Sequence, residues 1–223
     1  MKILFIISGG LDSATALYEL KNDHEIVEAV TFDYGQRHRK EIECAQKICS
    51  NLNIAHKIIN IQNFNELLQG SSLTTPSIQT PHGHYEEESM KQTIVPNRNA
   101  IMMNIAAGYA ISKNIHALGI GVHAGDHFIY PDCRPEFIKL FQDLADYSTK
   151  AAIQDNRKIK IETPLINLTK KEIVLLGNSL KAPLQLTHSC YSGTDKACGV
   201  CDSCLLRLKG FEEAGISDPI KYK

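Results

Sequence analysis

The sequence predicts an α/β fold, doubly wound around a mainly parallel five-stranded sheet, with a small C-terminal subdomain built on cysteines. Three observations predict it. The apolar run Ile3-Leu4-Phe5-Ile6-Ile7 leads directly into Ser8-Gly9-Gly10-Leu11-Asp12-Ser13 and then into Ala14-Thr15-Ala16-Leu17-Tyr18, which reads as strand, tight loop, helix. Further apolar segments alternate with helical patterns at the spacing of βαβ units. Four of the seven cysteines gather between Cys190 and Cys204.

Five consecutive apolar residues suit a first strand buried on both faces. The glycine pair then turns the chain at that strand's carboxyl end, with Asp12 or Ser13 as the expected cap of the helix that follows. A helix N-terminus presents unpaired N–H groups and the positive end of its dipole, a place that binds anions and above all phosphate. The second strand is expected over Ile26–Phe32, ending at Asp33-Tyr34-Gly35, which either lines a nucleoside or simply turns the chain. A helix follows from about Gln36 to Leu52, with Cys44 and Cys49 in or near the core, and Ala55–Ile61 is the third strand. From Gly70 to Thr93 the chain is polar and aperiodic; this long loop reads as a lid or dimer contact in preference to a metal site at His82 and His84. A helix is expected from Ala100 to Ile111, capped by Asn97 or Asn99. Arg98 stands at its start, where a cation is misplaced unless it faces an anion or a surface partner. After a fourth strand, Ala117–Val122, residues 123–137 concentrate histidines, aspartates, Tyr130, Arg134 and two prolines at a strand's carboxyl end, as a specific substrate pocket requires. A helix from Pro135 to about Ala152 and a strand near Lys158–Ile161 complete the sheet. Thr169-Lys170-Lys171-Glu172 is a capping box that opens a helix through Leu176, a structural feature.

Composition narrows the function. Of 223 residues 43% are hydrophobic, enough for one well-buried core, and 24 basic against 25 acidic residues give a net charge of −1. That balance offers no broad attraction for nucleic acid or an anionic membrane, so no direct nucleic-acid binding is expected and small molecules are the expected partners. No run approaches the roughly eighteen apolar residues a membrane helix needs, and no signal peptide is read, so the expected location is the cytoplasm. Reduced thiols follow from that location. Cys190, Cys198, Cys201 and Cys204 form C-x7-C-x2-C-x2-C, which suits a structural tetrahedral Zn²⁺; an iron–sulfur cluster is the rival. The helix Leu205–Ala214, stopped by Gly215, would carry the site.

The loop is neither a Walker Gly-x-x-x-x-Gly-Lys-Ser/Thr nor a Rossmann Gly-x-Gly-x-x-Gly. Ser8-Gly9-Gly10-Leu11-Asp12-Ser13 instead resembles the SGGxDS loop of the PP-loop ATP pyrophosphatase superfamily. Together with Tyr130-Pro131-Asp132-Cys133-Arg134-Pro135-Glu136-Phe137 and the four-cysteine C-terminus, it resembles the QueC family of 7-cyano-7-deazaguanine synthases over nearly the whole chain. Asp126-His127-Phe128-Ile129 departs from the Asp-Tyr-Ser-Gly that precedes Tyr-Pro-Asp in many relatives.

The resemblance implies an ATP-dependent carbon–nitrogen ligase that converts 7-carboxy-7-deazaguanine and ammonia to the nitrile through adenylated intermediates. It implies that Ser8, Gly9, Gly10, Leu11, Asp12, Ser13, Ala14 and Thr15 bind ATP, with Mg²⁺ offsetting charge. Asp12, Ser13, Arg98 and Arg134 are the implied catalytic residues. His123, Asp126, Tyr130, Asp132 and Arg134 are the implied contacts to the deazapurine. The expected organisation is a nucleotide- and substrate-binding α/β domain over 1–165 and a helical zinc-binding subdomain over 166–223, assembled as a homodimer. With no room for a glutaminase domain, nitrogen is expected as free ammonia or from a partner. Two alternatives stay open: another adenylating enzyme of the superfamily that modifies tRNA bases, or a zinc-ribbon binding module in which SGGLDS is idle.

Overall fold

The computed structural model describes residues 1–75, 77–81, 90–125, 130–148 and 158–223. Five strands form one sheet: β1 (Lys2–Ile6), β2 (Glu25–Asp33), β3 (Ala55–Asn60), β4 (Ala117–Ile120) and β5 (Lys160–Glu162). Their order is β3-β2-β1-β4-β5, and every neighbouring pair is parallel. The helices are α1 (Leu11–Asp23), α2 (Lys40–Asn51), α3 (Arg98–Ser112), α4 (Pro135–Ser148), α5 (Lys170–Ser179) and α6 (Asp202–Ala214).

β1 shows why the sheet is wound on both sides. Its side chains alternate: Leu4 and Ile6 pack with Met102, Met103 and Ala106 of α3 and Phe141 of α4, whereas Ile3 and Phe5 pack with Leu17 of α1, Ile48 of α2, Ile173 of α5 and Phe211 of α6. All four are buried, which is the environment an uninterrupted apolar run demands. Residues of α5 and α6 thus share a core with β1 and α1.

Element boundaries depart from the sequence expectations for local reasons. α1 is capped by Gly10, without a side-chain cap; Asp12 and Ser13 lie inside its first turn. α2 starts at Lys40, because the Gln36 side chain folds back on β2, accepting from Tyr34 N–H at 2.9 Å and donating to the Phe32 carbonyl at 3.2 Å. α3 starts at Arg98, with Asn97 in the left-handed region at φ 56° and no side-chain cap. α5 carries the expected capping box at Thr169 but continues past Leu176 to Ser179. α6 begins three residues early, at Asp202, with Cys201 in the cap position. Residues His82 and His84, and the segment beyond Ser148 through residue 157, lie outside the described residues. Within the described part of the Gly70–Thr93 segment, Ser71, Ser72, Leu73 and Thr93 are buried.

Candidate functional site

A cleft of about 280 Å³ opens at the carboxyl ends of β1 and β4. This is the point where successive connections leave the sheet in opposite directions, the place where open α/β sheets bind ligands. Its floor is the Ser8–Ser13 loop. Ser13 Oγ organises that loop, accepting from Ser8 N–H at 3.3 Å and Gly9 N–H at 3.2 Å while donating to the Gly10 carbonyl at 3.1 Å. The Ser8 and Ser13 hydroxyls lie 3.0 Å apart, and Gly10 N–H donates to Ser8 Oγ at 3.2 Å. Gly9 has φ +95°, and a Cβ there would run into the Glu41 carbonyl oxygen of α2. Gly121 is equally constrained: a Cβ would stand 2.7 Å from Ser13 Cα. The tight turn between β1 and α1 therefore needs a glycine at position 9, and the close approach of the end of β4 to α1 needs one at position 121.

One wall carries charge. Lys170 Nζ, from the first turn of α5, donates to both Asp12 oxygens at 2.6 and 2.8 Å and sits 3.0 Å from His123 Nε2. Burial by itself would raise the Asp12 carboxyl, but Lys170 and His123 outweigh it and hold that group below its ordinary value. Opposite, Arg98 of α3 lines the cleft and donates to Tyr34 Oη at 3.4 Å. Tyr130 Oη lies 2.7 Å from Thr93 Oγ1 and 3.3 Å from Tyr191 Oη, a polar cluster that joins three distant parts of the chain. Burial pushes the Cys133 thiol beside it up to about 12, so it faces the cleft protonated.

The structure brings together Ser8, Gly10, Leu11, Asp12, Ser13, Arg98, His123 and Tyr130 on one cleft. Ala14 and Thr15 are fully buried beneath the loop. Asp132 and Arg134 are not among the described residues that line the cleft. Asp132 instead accepts the Asn99 N–H at 3.1 Å, capping α3 from a separate loop rather than the helix it precedes. Asp126, with the departing His127-Phe128-Ile129, lies outside the described residues. Tyr34 lines the cleft, one of the two outcomes expected for the end of β2, whereas sequence reasoning missed Lys170, His38, Glu41 and Tyr191. Lys170 sat in plain view inside a capping box that was read as structural; no local pattern reveals that its side chain reaches Asp12.

The C-terminal cysteines converge. The Sγ atoms of Cys190, Cys198, Cys201 and Cys204 all lie within 4.8 Å of one another, and the first, third and fourth are buried. Backbone N–H groups donate to two of them, Cys198 N to Cys190 Sγ at 3.3 Å and Cys201 N to Cys198 Sγ at 3.4 Å, the support a thiolate needs. These four residues could hold a metal ion. The same segment reaches the phosphate loop, where His188 N–H donates to the Gly9 carbonyl at 3.0 Å. A buried Arg207–Asp218 pair, bonded at 2.7 and 2.9 Å, braces α6 behind it.

A glycine-turned anion loop at the switch point of an all-parallel, doubly wound sheet defines the class: an ATP-binding protein of the PP-loop type. Solved structures agree on the fold. The U34-tRNA thiolase NcsA from Methanococcus maripaludis, which carries a [4Fe-4S] cluster, aligns over 95% of this chain and 64% of its own, with TM-score 0.50 and 20% identity. A 4-thiouridine synthetase–RNA complex with bound ATP aligns over 96% of this chain and 50% of its own, with TM-score 0.53 and 15% identity. At such identities the likeness concerns the fold alone. The family model described as queuosine biosynthesis protein QueC matches residues 2–215, and the chain belongs to that family. Curated relatives named 7-cyano-7-deazaguanine synthase include those of Hahella chejuensis, 47% identical over 98% of this chain and 91% of that protein, and Psychromonas ingrahamii, 45% identical over 100% and 98%.

Proposed function

We propose that this protein is an ATP-dependent carbon–nitrogen ligase that makes 7-cyano-7-deazaguanine from 7-carboxy-7-deazaguanine and ammonia, in queuosine biosynthesis. The observation that carries the reading is full-length identity of 45–47% to synthases of that name, combined with a cleft in which a phosphate loop faces a substrate-sized cavity.

A carboxylate is a poor electrophile, and ATP activates it as an acyl adenylate. In this reading the turn of Ser8, Gly9, Gly10 and Leu11 surrounds the phosphates, whose oxygens meet the N–H groups of the first turn of α1 at its positive end, with Ala14 and Thr15 buried beneath. Ser13 fixes the loop's shape. Lys170 exchanges its hold on Asp12 for a phosphate oxygen, supplying the cation that a Walker lysine supplies elsewhere, and Arg98 meets the charge that develops at the α-phosphate. Bound Mg²⁺ would add charge neutralisation, with Asp12 as its protein contact. His123 and Tyr130 flank the deazapurine, with Asp126 and Arg134 as further contacts and Asp132 as the brace that sets Arg98's helix. Ammonia then attacks the acyl carbon to give the amide, and a second activation of the amide oxygen releases it in forming the nitrile.

The donor set supports zinc over an iron–sulfur cluster. Four thiolates on one ion stand about 3.8 Å apart at a Zn–S distance of about 2.3 Å, whereas a cubane holds each cysteine on a different iron and spreads the sulfurs wider. The observed 4.8 Å limit suits a single ion. Its place is structural, closing the 166–223 segment over the phosphate loop. We further infer a homodimer, a cytoplasmic location and no direct nucleic-acid contact, the last from the balanced charge.

Purified protein incubated with Mg-ATP, ammonium and 7-carboxy-7-deazaguanine is expected to give nitrile and AMP by mass spectrometry. AMP without change in the base would sink the substrate assignment. Metal analysis is expected to find one zinc per chain; stoichiometric iron and sulfide would overturn that part.

A further inference from the structure

The cleft contains a largely buried carboxylate, that of Glu41, which neither phosphate binding nor base recognition uses. Glu41 lies in the first turn of α2. Its carbonyl oxygen occupies the space left by the missing Gly9 side chain, so the turn is fixed to the phosphate loop. Its own side chain is 14% exposed and lines the cleft with Ser8 and Gly10. His38 Nε2 approaches Glu41 Oε2 only to 3.6 Å, too far for a hydrogen bond. A carboxylate placed this way is costly for stability and is available for chemistry.

Its surroundings favour proton uptake. Burial raises the Glu41 carboxyl to about 8, with Asp12 of α1 and Cys190 of the C-terminal segment adding to the rise and Arg98 of α3 opposing it. Tyr34 at the end of β2 and Cys44 on α2 also sense its charge. His38 is driven down to about 3 by burial, by Arg98 and by His188, and so stays neutral beside it. A carboxyl group poised near the working pH both gives and takes protons readily.

Resting on the ammonia-dependent reading above, we propose that Glu41 is the base that strips ammonium of a proton within the cleft and so delivers ammonia to the activated acyl carbon. Ammonium transfers one N–H proton to the carboxylate, and the electron pair of that bond remains on nitrogen. The nitrogen attacks, a C–N bond forms, and the C–O bond to the adenylate breaks with its electron pair leaving on AMP. The second proton that nitrogen loses passes to water in the open cleft, and Glu41 releases its own proton there before the next cycle.

Glu41→Gln in the full-length, metal-replete protein separates this role from a structural one. Pyrophosphate exchange into ATP, dependent on 7-carboxy-7-deazaguanine and run without ammonium, is expected to stay within about threefold of wild type, because adenylation needs no base on nitrogen. Ammonium-dependent amide and nitrile formation is expected to fall ~10²–10⁴-fold. Hydroxylamine, a far weaker base that is already unprotonated at neutral pH, is expected to capture the acyl group as hydroxamate at close to the wild-type rate. Glu41→Asp, which keeps the carboxylate, is expected to recover part of the ammonium reaction. Undiminished ammonium turnover in Glu41→Gln overturns the proposal, and so does a variant that loses exchange, hydroxamate and amide formation in equal measure. Wild-type protein that exchanges no pyrophosphate with this acid would instead overturn the substrate reading.

Discussion

At the residue scale, the charged wall of the cleft rests on one long-range pair, Lys170 with Asp12, 158 positions apart in the chain. Lys170 is 9% exposed, and its stem lies where a Cβ on Gly210 of α6 would be, so the lysine both packs and points. Lys170→Met keeps the stem and removes the ammonium. It is expected to lower kcat/KM for ATP ~10²–10³-fold, as loss of a preorganised charge does, and to lower the melting temperature as well, since Asp12 loses the cation that offsets its burial; pyrophosphate exchange on the folded variant reads the first and calorimetry the second. Exchange at the wild-type rate would remove Lys170 from phosphate binding. The same residue marks the limit of what the sequence disclosed. The Ser8–Ser13 turn was legible because strand, glycine pair and helix start are neighbours in the chain, although the cap fell to Gly10 rather than to Asp12 or Ser13. Lys170, Glu41 and Tyr191 reach the cleft through folding alone, and nothing within a few residues of any of them distinguishes a side chain aimed at the site from one aimed at solvent.

At the element scale, the strands and helices were legible because each repeats a period of its own, but the ends of the elements were set by contacts from elsewhere. Gln36 shortened α2 by bonding back to β2, and Asp132 caps α3 from another loop. α6 is the clearest case. It starts at the cysteine cluster that could hold a metal ion, with Cys201 as its cap and Cys204 in its first turn, so its beginning is set by that cluster rather than by helix propensity. Chelation of the metal is therefore expected to unwind the start of α6, leave four reactive thiols and lower the melting temperature substantially, since metal-binding energy in such sites is folding energy. Thiol titration and circular dichroism before and after chelation measure it. An unchanged melting temperature would show that the cluster closes without an ion.

At the scale of the whole molecule, two buried titrating neighbours pull stability in opposite directions with pH. Glu41 has a folded value of about 8 against an ordinary 4.5, so it favours the folded state below pH 4.5, and that contribution is lost as pH rises through 8. His38 is depressed from 6.5 to about 3; it favours the folded state above pH 6.5, and that contribution is lost as pH falls towards 3. Glu41→Gln removes the first dependence alone. The variant is expected to match wild type near pH 4.5 and to exceed it progressively up to pH 8, by an amount of order a few kcal/mol; denaturation curves across that range test it, and parallel curves would show that burying Glu41 costs nothing.

The hydrogen bond from His188 N–H to the Gly9 carbonyl joins the segment that begins the cysteine cluster to the loop proposed to hold ATP. Two equilibria that meet at one backbone contact obey reciprocity: whatever factor the bound ion lends to nucleotide affinity, nucleotide must return to the ion. Saturating ATP is thus expected to slow the escape of metal to a competing chelator, and loss of the metal to weaken nucleotide binding by the same factor. Equal escape rates with and without nucleotide would mean that the contact carries no coupling.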